Sequence, residues 1–212
     1  MTLRLIDVAN KKEKQDWVKS YWNTFYCQNK ILTANGRLHG HYCKNRFCTL
    51  CCSILKAEII NKYLAIIKTW EEPYFVTLTV KAVPFNKLKP VVHAMQKEFI
   101  KIVETCRKRN QRGKGNRLMG IRSLESNFNA KFQTYNPHFH CIVADKNMAD
   151  ILIQEWLQRS NPGWVNHKAQ KQEKVFDNEM ALIEVVKYGT KIFTEPDLNK
   201  KVKVKSRLHS FL

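Results

Sequence analysis

Acidic residues are scarce in this chain, long apolar runs are missing, and no internal repeat is visible. Only 18 of its 212 residues are Asp or Glu, against 37 Lys and Arg, giving a formal charge of +19 and a pI near 9.7. Such a surplus points to a polyanionic partner, because each neutralised phosphate releases counterions. No apolar stretch approaches the roughly 20 residues needed to cross a bilayer, which excludes a spanning helix. No charged-then-apolar leader opens the sequence, so a cytoplasmic setting is expected. The missing repeat excludes a repeat architecture, and 212 residues suffice for one sizeable core with a small appendage.

The seven cysteines are unevenly placed. Cys27, Cys43, Cys48, Cys51 and Cys52 fall within 26 residues, and Cys106 and Cys141 stand apart. In a chain with no secretion signal, such clustering favours metal binding over a disulfide framework. Cys43, Cys48 and Cys51 form a knuckle, and Cys27 sixteen residues earlier can complete a tetrahedral four-cysteine zinc site. His39 and His41 compete with Cys27 for the fourth position, and Cys52 competes with Cys51. Four thiolates leave no open coordination position, so this zinc would be structural.

Periodicity orders the rest of the chain. Residues 11–26 carry Trp17, Tyr21, Trp22 and Phe25 at helical spacing. After the cysteine segment, with Gly36 and Gly40 as turn signals, residues 53–70 read as an amphipathic helix with Ile54, Leu55, Ile59, Tyr63, Ile66 and Trp70 on its apolar side. Residues 74–80 (YFVTLTV) form a β-rich, mostly apolar stretch, suited to a buried central strand. A long helix over 88–109 ends in a basic run that continues through a Gly-containing loop: Arg107, Lys108, Arg109, Arg112, Lys114 and Arg117. Residues 117–125 and 135–144 read as strands joined by a polar loop. A helix over 147–159, a turn at 161–163, a strand within 164–176 and a helix over 178–192 follow. From Asn199 the tail is lysine-rich, and mobility is expected there.

This order, with two strands adjacent in sequence, predicts an α+β fold: an antiparallel sheet with helices packed on one face and the other face free to hold a site. The most informative stretch is Pro137-His138-Phe139-His140-Cys141-Ile142-Val143. Alternate side chains of a strand share a face, so His138 and His140 project together while Phe139 and Cys141 enter the core. If the strand over 117–125 pairs with this one, Glu125 lies near both imidazoles as a third ligand. Two imidazoles and a carboxylate suit Mg²⁺ or Mn²⁺ with positions left for phosphate oxygens, and they also suit zinc.

Farther along, Glu184-Val-Val-Lys-Tyr188-Gly-Thr-Lys191 places a carboxylate, a phenol and an amine on roughly one helical face. A phenol with an ordinary pKa of about 10 is a weak nucleophile, which a cation polarising a phosphodiester would help. The product of its attack, a phosphotyrosine, preserves the bond energy for rejoining. Glu184 could activate water or a 3′-hydroxyl, and Lys191 could neutralise phosphate charge. Phe128 and Tyr135 could stack on unpaired bases or simply pack.

The stretches FVTLTV, SLES, PHFHCIV and EVVKYGTK, in this order, resemble the HUH endonuclease superfamily. More closely, they resemble the replication initiators of small rolling-circle plasmids and phages. The tyrosine lies C-terminal to the histidines, the reverse of the order in conjugative relaxases. A subgroup of plasmid initiators is similar also in the glutamate four residues before the tyrosine and in the segment Cys27…Cys43-Lys-Asn-Arg-Phe-Cys48-Thr-Leu-Cys51. The likeness covers about residues 27–192. Two features depart from it: Thr49 stands where a proline is common, and the chain is shorter than many relatives.

The resemblance implies an HUH, ferredoxin-like palm over residues 71–195. A zinc-bearing N-terminal segment over 1–70 precedes it, and a basic tail over 196–212 follows. It implies a strand-specific nickase and ligase acting on single-stranded or hairpin origin DNA, with a host helicase and polymerase as further partners and no membrane. Tyr188 would be the nucleophile, Lys191 a phosphate contact and Glu184 the residue of termination. His138, His140 and Glu125 would hold Mg²⁺ or Mn²⁺. The basic residues from Arg107 to Arg117 would track the DNA backbone. A transposase of the same chemistry, and a non-catalytic zinc-bearing nucleic-acid-binding module, are the competing readings.

Overall fold

The structure is a computed structural model that describes residues 2–27, 29, 31–40 and 42–190. Two compact units divide the chain, one built on residues 2–61 and the other on 62–189.

The first unit opens with two helices, α1 (Thr2–Lys11) and α2 (Gln15–Phe25). The helix expected over 11–26 is therefore α2 alone, and α1 ahead of it was not foreseen. Glu13, at φ 54°, turns the chain between them. The aromatic stripe of α2 is mostly exposed. Only Tyr21 is buried, packed edge-on against Phe47 at 5.8 Å, and Trp17, Trp22 and Phe25 remain exposed. Strands β1 (Ile31–Ala34) and β2 (Arg37–Gly40) form an antiparallel hairpin. Its two-residue turn, Asn35-Gly36, has both residues at positive φ, the backbone twist that suits so tight a connection. Helix α3 (Thr49–Ile67) starts four residues earlier than its periodicity indicates and takes Cys51 and Cys52 into its first turn. Leu55 and Ile66, expected on its apolar side, are exposed, and Ile67 is fully buried.

The second unit is the expected α+β layer. Its strands are β3 (Tyr74–Thr79), β4 (Val83–Pro84), β5 (Gly120–Asn129), β6 (Thr134–Val143) and β7 (Lys171–Lys174). They make one antiparallel sheet with β6 at its centre. β5 flanks β6 on one side; β3 and the short β4 flank it on the other, and β7 adds to the far edge of β3. Helices α4 (Phe85–Gln111) and α5 (Lys146–Arg159) pack on one face. That core joins Val76 and Leu78 of β3 and Phe139, Cys141 and Val143 of β6 to Met95, Phe99 and Ile102 of α4 and Leu152 and Trp156 of α5. Phe139 sits between Phe99 at 5.0 Å and Trp156 at 5.9 Å. A fully buried aromatic of this kind contributes about 2–3 kcal/mol from burial alone. Asp145 caps α5 by accepting from the Met148 N–H, and Asp177 caps α6 (Asn178–Thr190) through the Glu179 and Met180 N–H groups.

The strand expected within 164–176 shrinks to four residues. Asn166 accepts the Lys168 N–H and starts a 3₁₀ turn, and Gln170 then does a strand's work with its side chain. Its amide oxygen accepts the Thr79 N–H at 2.8 Å and its amide nitrogen donates to the Thr79 carbonyl at 3.2 Å. The β3 backbone is thus paired beyond the end of β7, beside the face that carries the histidines.

Candidate metal centres and catalytic site

The loop between β5 and β6 is only Ala130–Gln133, which sets a register that places Glu125 opposite His138 and Ser123 opposite His140. On the other side, Thr79 stands opposite His138 and Thr77 opposite His140. Register partners in antiparallel strands share a face. The face opposite α4 and α5 therefore carries Glu125, His138, His140 and the two threonines. Glu125 Oε2 lies 3.2 Å from His138 Nε2 and 3.4 Å from His140 Nε2, and the two imidazole nitrogens are 3.1 Å apart. Glu125 and His138 are buried, and His140 is partly buried.

Hydrogen bonding fixes how these rings present themselves. His138 Nδ1–H donates to the Asn136 carbonyl at 2.9 Å, so in the neutral ring Nε2 carries its lone pair toward Glu125. His140 Nδ1 lies 3.3 Å from Thr77 Oγ1, turning its Nε2 the same way, and Phe75 packs on its ring at 5.3 Å. Three electron-rich atoms thus converge where only a proton or a cation can reconcile them. Burial would push the Glu125 carboxyl up, but the two imidazoles hold it below the usual carboxylate range. Burial would likewise lower His138, yet Glu125 and the Asn136 carbonyl raise it above the ordinary imidazole value. Glu125 Oε1 is buried and meets no hydrogen-bond partner among the described residues.

A divalent ion about 2.1 Å from three ligands would space them by about 3.0 Å in an octahedron and about 3.4 Å in a tetrahedron. The observed spacings of 3.1, 3.2 and 3.4 Å span both. The residues present therefore fit a divalent cation, and their geometry does not select among Mg²⁺, Mn²⁺ and Zn²⁺.

In the first unit, Cys27, Cys43, Cys48 and Cys51 bring their sulfurs within 4.8 Å of one another. Cys51 Sγ is 3.6 Å from the sulfurs of both Cys27 and Cys43. The edge of a tetrahedral zinc–tetrathiolate with 2.3 Å bonds is about 3.8 Å, so this group also fits its metal. The four elements that supply it are the end of α2, the chain after β2, the turn before α3 and the first turn of α3. Burial and the surrounding thiols push Cys51 up to about 12 in the metal-free protein. Cys52 takes no part: its thiol donates to the Arg46 carbonyl at 3.1 Å. His39's side chain and the whole of His41 lie outside the described residues, as do Lys191 and the tail from Asn199.

The other expected site residues come from α6 and from the end of α4 with the loop that follows it. Tyr188 and Glu184 belong to α6; Glu184 is partly buried, and the side chain of Tyr188 lies outside the described residues. Arg107, Lys108, Arg112, Lys114 and Arg117 are exposed at the end of α4 and in the following loop. That loop enters β5 at Gly120, five residues or about 17 Å of strand from Glu125. Arg109 is engaged in an ion pair with the buried Glu155 at 2.6 Å. Phe128 and Tyr135 pack on each other at 4.9 Å, and Tyr135 is buried, so packing rather than base stacking describes Tyr135. Thr77 and the Asn136 carbonyl contact the histidines, while Thr79 bonds the Asn136 side chain and Gln170 the Thr79 backbone; none of these was anticipated, and nothing in their local sequence distinguishes them.

A family model described as "Replication protein" matches residues 36–148. Among curated proteins, the chain is similar to "Protein rep" of Staphylococcus aureus, with 30% identity over 190 residues, covering 80% of this chain and 79% of that one. It is also similar to "Protein rep" of Bacillus amyloliquefaciens, 32% identical over 119 residues, and of a Bacillus species, 31% identical over 109. These cover about half of this chain and 34% of each relative. No solved structure matches. No helix among the described residues is long and apolar enough to cross a membrane.

Proposed function

Because the chain belongs to the replication protein family, and its sheet converges two imidazoles and a carboxylate on one face, we propose that it initiates rolling-circle replication by nicking and rejoining single-stranded origin DNA. The observation that carries this reading is the Glu125–His138–His140 cluster, whose lone pairs meet within 3.4 Å.

Glu125, His138 and His140 would hold Mg²⁺ or Mn²⁺. When bound, such an ion polarises the phosphodiester and stabilises the charge that develops on its oxygens. The protein's own groups do the rest. The Tyr188 phenolic oxygen, having lost its proton, attacks the scissile phosphorus. The bond from phosphorus to the 3′-oxygen breaks, and that oxygen takes up a proton to become the 3′-hydroxyl that primes synthesis. The 5′-phosphate stays on Tyr188 as a phosphodiester, so no co-reactant is consumed and attack by a 3′-hydroxyl reverses the step. Glu184, one helical turn before Tyr188, would draw a proton from water or from a 3′-hydroxyl in a second event that ends the cycle. Lys191 would bind phosphate. Zinc in the four-cysteine cluster would order the N-terminal unit without entering the chemistry.

The deciding experiment incubates the protein with single-stranded fragments of its source replicon and Mn²⁺, and resolves protein-linked DNA on a denaturing gel. An adduct that disappears with Tyr188→Phe and with chelator is expected. Tight binding to these fragments with no adduct from any of them would turn the assignment to a non-catalytic binding module.

A further inference from the structure

The exposed aromatic residues of the first unit take no part in the chemistry above. Trp22, Phe25 and Tyr26 are 37%, 43% and 48% exposed. They are nonetheless ordered against one another: Trp22 and Tyr26 lie nearly parallel at 5.7 Å, and Phe25 meets Tyr26 edge-on at 5.1 Å. The cysteine knuckle is fastened to the same helix. The Asn45 side-chain amide donates to Ser20 Oγ at 2.8 Å, Phe47 packs on Tyr21, and the Cys43 N–H donates to Cys27 Sγ at 3.3 Å. On the knuckle, Tyr42 is exposed, and its ring covers Gly40 so closely that a Cβ there would come within 2.9 Å of it. Lys44 and Arg46 are exposed beside it.

We propose that α2 and the cysteine knuckle form a non-catalytic binding surface for unpaired DNA, with Trp22, Phe25, Tyr26 and Tyr42 stacking on bases and Lys44 and Arg46 contacting phosphates. The inference rests on the reading that this chain acts on single-stranded DNA. Charge complementarity selects this occupant. Residues 1–61 hold ten Lys and Arg against four Asp and Glu, and Lys19 follows the helical face of Trp22 and Tyr26 at i+3 and i+7 spacing. Exposed π-faces beside cations bind single strands with little regard to sequence and find no free base faces in a duplex. Ordering the knuckle through its thiol cluster holds the rings in place before DNA arrives, which lowers the entropy cost of binding.

The test measures binding of the full-length chain to fluorescein-labelled oligo-dT and to a duplex of unrelated sequence, by anisotropy without added divalent ion. The double variant Trp22→Ala/Tyr26→Ala should weaken oligo-dT binding by about tenfold or more and leave duplex binding unchanged. Zinc content and circular dichroism should match the parent. If the alanine pair does not fold, the conservative Trp22→Phe carries the test: oligo-dT should quench tryptophan fluorescence in the parent, and the quench should shrink in this variant. Equal oligo-dT affinity in the alanine pair, or an unchanged quench in Trp22→Phe, overturns the proposal. So does a shift from dimer to monomer on sedimentation with DNA binding intact, since the surface would then face a second copy. The covalent-adduct assay separates this inference from the catalytic reading. Adduct formation with unaltered oligo-dT binding removes only the surface, and selective loss of oligo-dT binding in a protein that never forms an adduct removes only the catalysis.

Discussion

Glu125 and His138 are register partners across the β5–β6 ladder, and the carboxylate Oε2 of one lies 3.2 Å from the imidazole Nε2 of the other. Because His138 Nδ1–H donates to the Asn136 carbonyl, the facing Nε2 of the neutral ring offers its lone pair to a cation. The pair is therefore a buried ligand set that either a shared proton or a divalent ion can satisfy.

Replacing the carboxylate exposes this directly. Glu125→Gln keeps the shape and removes the charge, and Mn²⁺ affinity is expected to fall by about tenfold or more. Isothermal titration with Mn²⁺ measures it. Unchanged affinity would mean that the ion is held elsewhere.

Thr77 acts one step removed, through its 3.3 Å contact to His140 Nδ1. Thr77→Val should weaken Mn²⁺ binding by roughly tenfold, within the range for lost orienting partners, and leave zinc content untouched. A variant that binds Mn²⁺ as the parent does would assign Thr77 to packing alone.

The thiol cluster should respond to chelation as a folding element. Stripping zinc is expected to melt the first unit, seen as lost helical ellipticity and a lower-temperature transition, while the sheet unit persists. Cys48→Ser should lower the zinc released per chain on thiol modification. Cys52→Ala should not, because its thiol is turned to the Arg46 carbonyl. Equal loss of zinc from both variants would contradict the assignment of Cys51 over Cys52.

Glu155 supplies a pH signature away from both metal sites. It is 5% exposed and accepts from Arg109 at 2.6 Å and Arg159 at 2.7 Å. Burial would raise its carboxyl, but Arg159 and Arg109 hold it below the usual range. A depressed folded-state value stabilises the fold above the unfolded value of about 4.3 and loses that contribution as pH falls through the folded value. Glu155→Gln should therefore cost about 2 kcal/mol at neutral pH and flatten the loss of stability below about pH 4. Urea melts of both proteins across that range test this, and parallel curves would sink it.

Much of the sheet unit was legible because its signals are local. Alternation in residues 138–143 put both histidines on one face and Phe139 and Cys141 in the core, as found. The pairing of the β5 and β6 segments followed from their adjacency in sequence. Less could be read from the first unit. The aromatic stripe of α2 has helical spacing, which a buried face and an exposed stacking face share equally, and burial is settled only by what packs against it. The strand expected within 164–176 is shorter than its sequence suggests for a related reason: a glutamine side chain, Gln170, replaces the backbone partner that a longer strand would have supplied.

The amino-acid sequence by itself determined the chemistry on offer: a basic chain, paired histidines on a strand, a spaced set of thiols, and a glutamate and a tyrosine one helical turn apart. Tertiary structure decided which of these groups meet. The four-residue loop 130–133 set the register that brings Glu125 to His138; a slip of one residue would have turned it to the opposite face. The phase of α3 chose Cys51 over Cys52, neighbours separated by about 100° around a helix, so that only one sulfur reaches Cys27 and Cys43. Spacing along a chain limits which side chains can share a face, but distance in space depends on register and helix phase, and those are set by packing between segments far apart in sequence.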